Sequence, residues 1–259
     1  MYMGFENLTL SYGRKNIIEN LSLSIPKGKI TTIIGRNGCG KSTLVKTLSR
    51  IMKPKSGSVI IKDRNINTYK QRELAYIISI LPQKHHSPGD IDVRTLVSYG
   101  RVPHLKMGEN LRNLAQEIID EALRSTGLRE MQHRRISELS GGEQKRAWIA
   151  MTLCQGAEII VLDEPTTHLD ISYQYEVMEL LRDLNRKKNL TIVVVLHDLN
   201  LAATYADNIV ALCGGNVLGQ GVPYEVFTEK ILKEIYGIDI IEISDDEKKN
   251  IYYVPKNNL

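Results

Sequence analysis

The run GRNGCGKST, Gly35 to Thr43, places three glycines, a lysine and two hydroxyls where they suit phosphate chemistry. Gly35, Gly38 and Gly40 let the backbone curl, so that successive amides, those of Arg36, Asn37 and Cys39 included, converge on phosphate oxygens. A helix that starts here points its positive end at the same charges. Lys41 then reaches the β and γ phosphates of a nucleoside triphosphate, the Ser42 hydroxyl is placed for Mg2+, and Thr43 braces the α-phosphate side. A second run, IIVLDEP from Ile159 to Pro165, is an apolar strand that ends in two carboxylates. Asp163 suits Mg2+ held through water, and Glu164 suits the general base that deprotonates the attacking water.

Other residues acquire meaning from their position relative to these two. Gln83 follows an apolar run and can touch the Mg2+ or the attacking water. His197 ends TIVVVL and can contact the γ-phosphate, with a helix-cap histidine as the alternative. Tyr12, in LSYG, offers a ring that stacks on adenine, or is an ordinary core or surface tyrosine. LSGGE, Leu139 to Glu143, presents the Ser140 hydroxyl and the flexible Gly141 and Gly142 amides at a helix start. One chain has one phosphate loop, so a second reader of γ-phosphate makes sense if it serves the nucleotide of a second copy. Reciprocal use gives a symmetric homodimer with two ATP sites, and Asp170 in THLD is the candidate for communication across it. Cys39 has two readings. A thiol in an electropositive loop at a helix start is expected to have a lowered pKa and to be reactive, or only its small side chain and backbone amide matter. Trp148 reads as packing, and His85, His86, His104, His133 and His168 have no spacing that makes a zinc site.

The elements that must hold these groups alternate. ITTII precedes the glycine loop as a strand, and a helix follows over about Lys41 to Ile51. SGSVII is another short strand, and LAYIISILPQ reads as a strand stopped by Pro82. Helical patterns fill Val93 to Tyr99, Leu111 to Thr126 and Glu143 to Leu153. The strand pattern returns at Ile159 to Leu162, gives way to a helix near Tyr173 to Asn185, and returns at Thr191 to Leu196. These predict an α/β core sheet with a smaller antiparallel flap and an inserted, mainly helical lobe at about 85–156. Residues 1–237 form one domain, and 238–259 form a tail of a strand or two or a mobile end, with no chemistry assigned.

Composition narrows the class. At 259 residues the chain buries roughly three quarters of its unfolded surface without staples. The net charge of +4 comes from 34 basic and 30 acidic residues that are interspersed, so no nucleic-acid partner is expected. Three scattered cysteines fit a reducing compartment rather than a disulfide framework. The opening MYMGFENLTLSYG reads as a cytosolic start, and no run of 18 residues is apolar enough to span a bilayer. Action at a membrane would need other polypeptides to cross it.

Together these motifs resemble the ATP-binding-cassette (ABC) family over about residues 4–237. GRNGCGKSTL, DVRTLVSYGRVPH, LSGGEQKRAWIAM, LDEPTTHLD and HDLNLAATYAD are similar to the importer ATPases for ferric siderophores, haem and cobalamin. The resemblance implies a P-loop NTPase fold with an antiparallel β-subdomain and an α-helical subdomain, with ATP and Mg2+ as cofactors. It assigns the roles given above to Tyr12, Lys41, Gln83, Asp163, Glu164 and His197. It also implies two copies beneath two integral-membrane permease subunits, at the cytoplasmic face of the cell membrane, fed by an extracytoplasmic substrate-binding protein. The helical lobe near Gln83 to Gly108 would receive the permease. Ferric siderophore is the expected cargo, with haem or cobalamin, or a soluble ABC ATPase acting on ribosomes or DNA, as alternatives. Two residues depart from the family pattern, Arg36 where proline is frequent and Glu143 where glutamine is common.

Overall fold

The structure, a computed structural model, describes residues 1–84, 90–105, 116–244 and 251–256. His85, His86, the ends of the expected lobe surface at 85–89 and 106–108, and the start of the expected helix at 111–115 lie outside the described residues. The chain forms two compact units, one of Met1–Thr68 with Thr191–Leu259 and one of Tyr69–Leu190.

The first unit opens with β1 (Met3–Tyr12), β2 (Lys15–Ile25), β3 (Ile30–Gly35), α1 (Lys41–Leu48), β4 (Ser56–Ile61) and β5 (Arg64–Asn65). An antiparallel sheet runs in the order β2-β1-β4-β5. Its inward face carries Phe5, Leu8, Leu10, Ile18 and Val59, all buried, as alternation along half-buried strands requires. β3 is buried at every position, the pattern of a strand covered on both faces.

The second unit comprises α2 (Gln71–Ile77), β6 (Ile78–Leu81), α3 (Val93–Ser98), α4 (Gln116–Ser125), α5 (Gly141–Cys154), β7 (Ile159–Asp163) and α6 (Ile171–Lys188). Its helices pack through Val93, Leu96, Val97, Ile119, Leu123, Ile149 and Trp148, all buried. Trp148 thus lies where packing predicts it. α3 begins at Asp92, whose carboxylate accepts the Thr95 amide at 2.6 Å. β6 and β7 run parallel, with Ile78 opposite Ile159 and Leu81 opposite Leu162.

The segment expected as one strand from Leu74 is instead helix up to Ile77, and only then strand. The Glu73 carboxylate accepts the Lys70 amide at 2.8 Å, which secures the first turn of α2 before β-branched residues take over.

The chain returns to the first unit with β8 (Thr191–Val195), α7 (Leu199–Tyr205), β9 (Asn208–Cys213), β10 (Asn216–Gly221), α8 (Pro223–Val226), α9 (Glu229–Tyr236), β11 (Ile240–Ser244) and β12 (Ile251–Pro255). There β3 lies between β8 and β9, parallel to both, and β10 pairs antiparallel with β9. β11 and β12 form an antiparallel pair. Tyr253 anchors it, donating its amide to Asn200 Oδ1 at 2.8 Å and meeting the Phe227 ring edge-on at 5.0 Å.

Candidate active site

The candidate groups fall in both units. In the first, Ile33 lies opposite Val195. Gly35 and His197, each two residues further on, therefore stand at the carboxyl ends of neighbouring parallel strands, where open α/β sheets bind ligands. The loop after β3 requires glycine. At Gly35 φ is +153° and an added Cβ would sit 2.3 Å from the Leu212 carbonyl oxygen. Gly40, at φ +109°, turns the chain into α1. Lys41 is buried and folds back over the loop, donating to the carbonyls of Gly35 (2.6 Å) and Arg36 (3.0 Å). Its ammonium is thus held within the curl of backbone by neutral acceptors.

Ser42 and Thr43 occupy the first turn of α1. Arg36 and Asn37 are exposed on the loop. The Arg36 guanidinium lies near Gly237, about 3.6 Å from where a Cβ there would stand; Gly237 caps the C-terminus of α9, an end that favours a cation. Tyr12 ends β1 with about half its surface exposed. Cys39 departs from the expectation of a lowered thiol pKa. Its side chain is buried, and burial pushes the thiol up by more than the neighbouring Lys41 ammonium pulls it down.

In the second unit the same reasoning from register applies. Leu81 opposes Leu162, so Gln83 and Glu164, each two residues on, come level at the strand ends. Gln83 Nε2 donates to Glu164 Oε2 at 2.5 Å. Asp163 and Glu164 are both buried. Glu164 sits at φ +55°, a left-handed conformation uncommon outside glycine. The Thr167 hydroxyl clamps it there by donating to the Glu164 carbonyl at 2.9 Å.

Ser140 is the N-cap of α5. Its hydroxyl accepts the Glu143 amide at 3.3 Å, and the Glu143 carboxylate accepts the Ser140 amide at 2.8 Å, a reciprocal cap. That amide holds the Glu143 carboxyl below its ordinary range. Gly141 is exposed, whereas Gly142 is buried against Tyr173, whose ring would lie 2.6 Å from an added Cβ. Asp170 is exposed at the N-cap of α6.

Two residues of this neighbourhood escaped the sequence reading. Thr167 carries no motif signal beyond lying three residues after Glu164. Lys145, on α5, is partly buried, and burial lowers its pKa while the Glu164 carboxylate raises it. No sequence signal marks Lys145, which sits in the polar run Glu143 to Arg146.

The ABC transporter family model matches residues 18–167. The ferric enterobactin transport ATP-binding protein of Escherichia coli is 45% identical over 240 residues, which span 93% of this chain and 89% of that protein. The iron(3+)-hydroxamate import ATP-binding protein of Bacillus subtilis is 46% identical over 245 residues, 95% of this chain and 91% of that protein. Among solved structures, a metal-chelate type ABC transporter in an inward-facing conformation superposes with a TM-score of 0.87 at 27% identity, covering 99% of this chain and 98% of that one. A dimeric ATP-binding cassette in a post-hydrolysis state, bound to ADP and Pi, superposes with a TM-score of 0.71 at 28% identity, covering 85% of this chain and 98% of that one. The chain belongs to the ABC transporter family and has its α/β ATPase fold.

Proposed function

We propose that this chain is the ATP-hydrolysing subunit that energises import of a ferric siderophore through a separate membrane permease. One observation carries the cargo: the iron-chelate import relatives match at 45–46% identity over more than nine-tenths of this chain. A generic ATPase likeness would be concentrated in the nucleotide motifs.

The residues support a direct mechanism. Lys41 exchanges its two carbonyl partners for the β and γ phosphates, a trade of neutral acceptors for charged ones that favours bound nucleotide. The loop amides and the start of α1 add donors, and Tyr12 stacks on adenine. Glu164 accepts the proton of the attacking water. Gln83, bonded to one carboxylate oxygen, fixes the carboxylate that takes that proton. His197 donates to the γ-phosphate. The oxygen donors Ser42 and Asp163 fit Mg2+. Bound there, the ion would neutralise phosphate charge.

Two copies work together, each offering Ser140, Gly141 and Gly142 to the nucleotide of the other, with Asp170 beside that contact. The dimeric, ADP-bound relative supports this reading. ATP then joins the copies through a γ-phosphate held by both, and hydrolysis releases them. The permease receives the movement through the helical lobe, where Val102 remains exposed. Among the described residues no helix is long and apolar enough to cross a membrane. Alongside the permease the chain acts peripherally, at the cytoplasmic face, with an extracytoplasmic binding protein delivering cargo. Tagged Glu164→Gln protein, purified with ATP from gently solubilised native membranes, tests this by mass spectrometry of its partners. Enrichment of a polytopic permease is expected. Recovery of ribosomal or DNA-repair proteins without a permease would overturn the transport reading.

A further inference from the structure

The second unit holds a cavity of about 350 Å³ whose lining includes Gln83, Gln144, Lys145, Thr167 and His168. Two of these residues also hold Glu164: the Gln83 amide bonds its carboxylate and the Thr167 hydroxyl bonds its carbonyl. Lys145 is the third element of that wall. It projects from the second turn of α5, five residues after the Ser140 cap. Among the described residues its ammonium makes no hydrogen bond or ion pair. Partial burial of an unpaired cation is unfavourable, and a purely packing role at this position would be better served by an apolar side chain. The charge that acts favourably on it is the Glu164 carboxylate.

We propose that Lys145 is a positioning residue for Glu164, its ammonium drawing the carboxylate toward the cavity wall while Gln83 fixes one oxygen. The inference rests on the reading of Glu164 as general base. Its consequence is that the helix bearing Ser140, Gly141 and Gly142 also sets the electrostatic environment of the base, so the signature segment and the hydrolytic carboxylate are joined within one chain. Interaction between opposite charges weakens smoothly with distance, so a shift of α5 changes the orientation of Glu164 without breaking a bond.

The test is steady-state ATP hydrolysis by the full chain carrying Lys145→Met, Lys145→Arg, Glu164→Gln, or Lys145→Met with Glu164→Gln, with residual turnover followed on radiolabelled ATP. Lys145→Met is expected to lower kcat by about tenfold, a fraction of what a general base supplies, with KM for ATP within about twofold. Lys145→Arg restores most of the loss. In the Glu164→Gln background the methionine has no further effect, because partners in one interaction are non-additive. An unchanged kcat in Lys145→Met overturns the inference. So does an equal loss in the Glu164→Gln background, or a loss that arginine does not rescue and that comes with a raised KM. Wild-type turnover in Glu164→Gln alone would instead remove the underlying reading of the base.

Discussion

In the proposed mechanism the chemistry of this chain rests on a single carboxylate, Glu164, which is buried, held at φ +55° and bonded by Gln83. Replacing it with glutamine keeps the shape and the bond geometry but removes the proton acceptor. Glu164→Gln is therefore expected to retain ATP binding and to lose about a hundredfold or more in turnover; steady-state hydrolysis at the wild-type rate would take the residue out of that role. Cys39 gives a second test at this scale. Its buried thiol is pushed above the ordinary range, which suppresses the reactive thiolate. Alkylation by iodoacetamide is expected to be slower than that of free glutathione, and Cys39→Ser should keep ATPase activity near normal. A loss of more than about tenfold would show that the side chain matters beyond its size. The placement of Lys41, Asp163 and Glu164 at the start of α1 and the end of β7 was legible in sequence because it travels with local motifs. That of Lys145 was not, since its significance depends on which face of α5 meets the wall around Glu164; of the two readings of Cys39, the lowered thiol pKa fails because nearby charge is visible in a sequence whereas burial is not.

The element that repays most scrutiny is α5, because its first turn combines capping, packing and an exposed glycine. Gly141 and Gly142 look alike in LSGGE, yet an added Cβ at Gly141 meets nothing nearer than Leu169 at 3.7 Å, whereas at Gly142 it meets Cδ1 of the Tyr173 ring at 2.6 Å. Gly142→Ala is expected to destabilise by about 1–3 kcal/mol through overpacking. Gly141→Ala should leave stability unchanged or improve it slightly, since alanine favours a helix. Thermal unfolding of the two variants reads the difference, and equal midpoints would contradict the close helix packing. Glu143 adds a pH dependence. Its folded carboxyl lies below the ordinary value of 4.5 because it accepts the Ser140 amide. The stability it contributes is fully present above about pH 4.5 and is lost as pH falls through the lower, folded value. The difference in unfolding midpoint between wild type and Glu143→Gln should therefore shrink in acid; a difference that stays constant below that range would deny the carboxylate its part in the cap. Sequence periodicity captured the long elements well: α6 spans Ile171–Lys188 against an expected 173–185. It missed α2, where a carboxylate cap starts a helix that ends at Ile77, before the β-branched Ile78 begins β6.

For the whole molecule, the decisive property is that parallel strands deliver chemistry to their carboxyl ends twice, Gly35 with His197 in one unit and Gln83 with Glu164 in the other. Strand register follows from buried apolar runs, so this much of the site could be anticipated from ITTII, IIVLDE and TIVVVL. The tail was legible only as a strand or two or a mobile end, and it forms two strands: with one buried side chain on β11, its pairing with β12 rests on Tyr253 reaching Asn200 and Phe227, contacts distant in sequence. In the proposed assembly the permease and binding protein, not this chain, would contact the cargo. The most direct measurement is therefore uptake of a panel of radiolabelled ferric siderophores by cells whose only copy of this chain carries Glu164→Gln. Energised uptake of at least one ferric chelate should be lost while its binding outside the cell persists; uptake of the entire panel at the wild-type rate would contradict a role in ferric siderophore import.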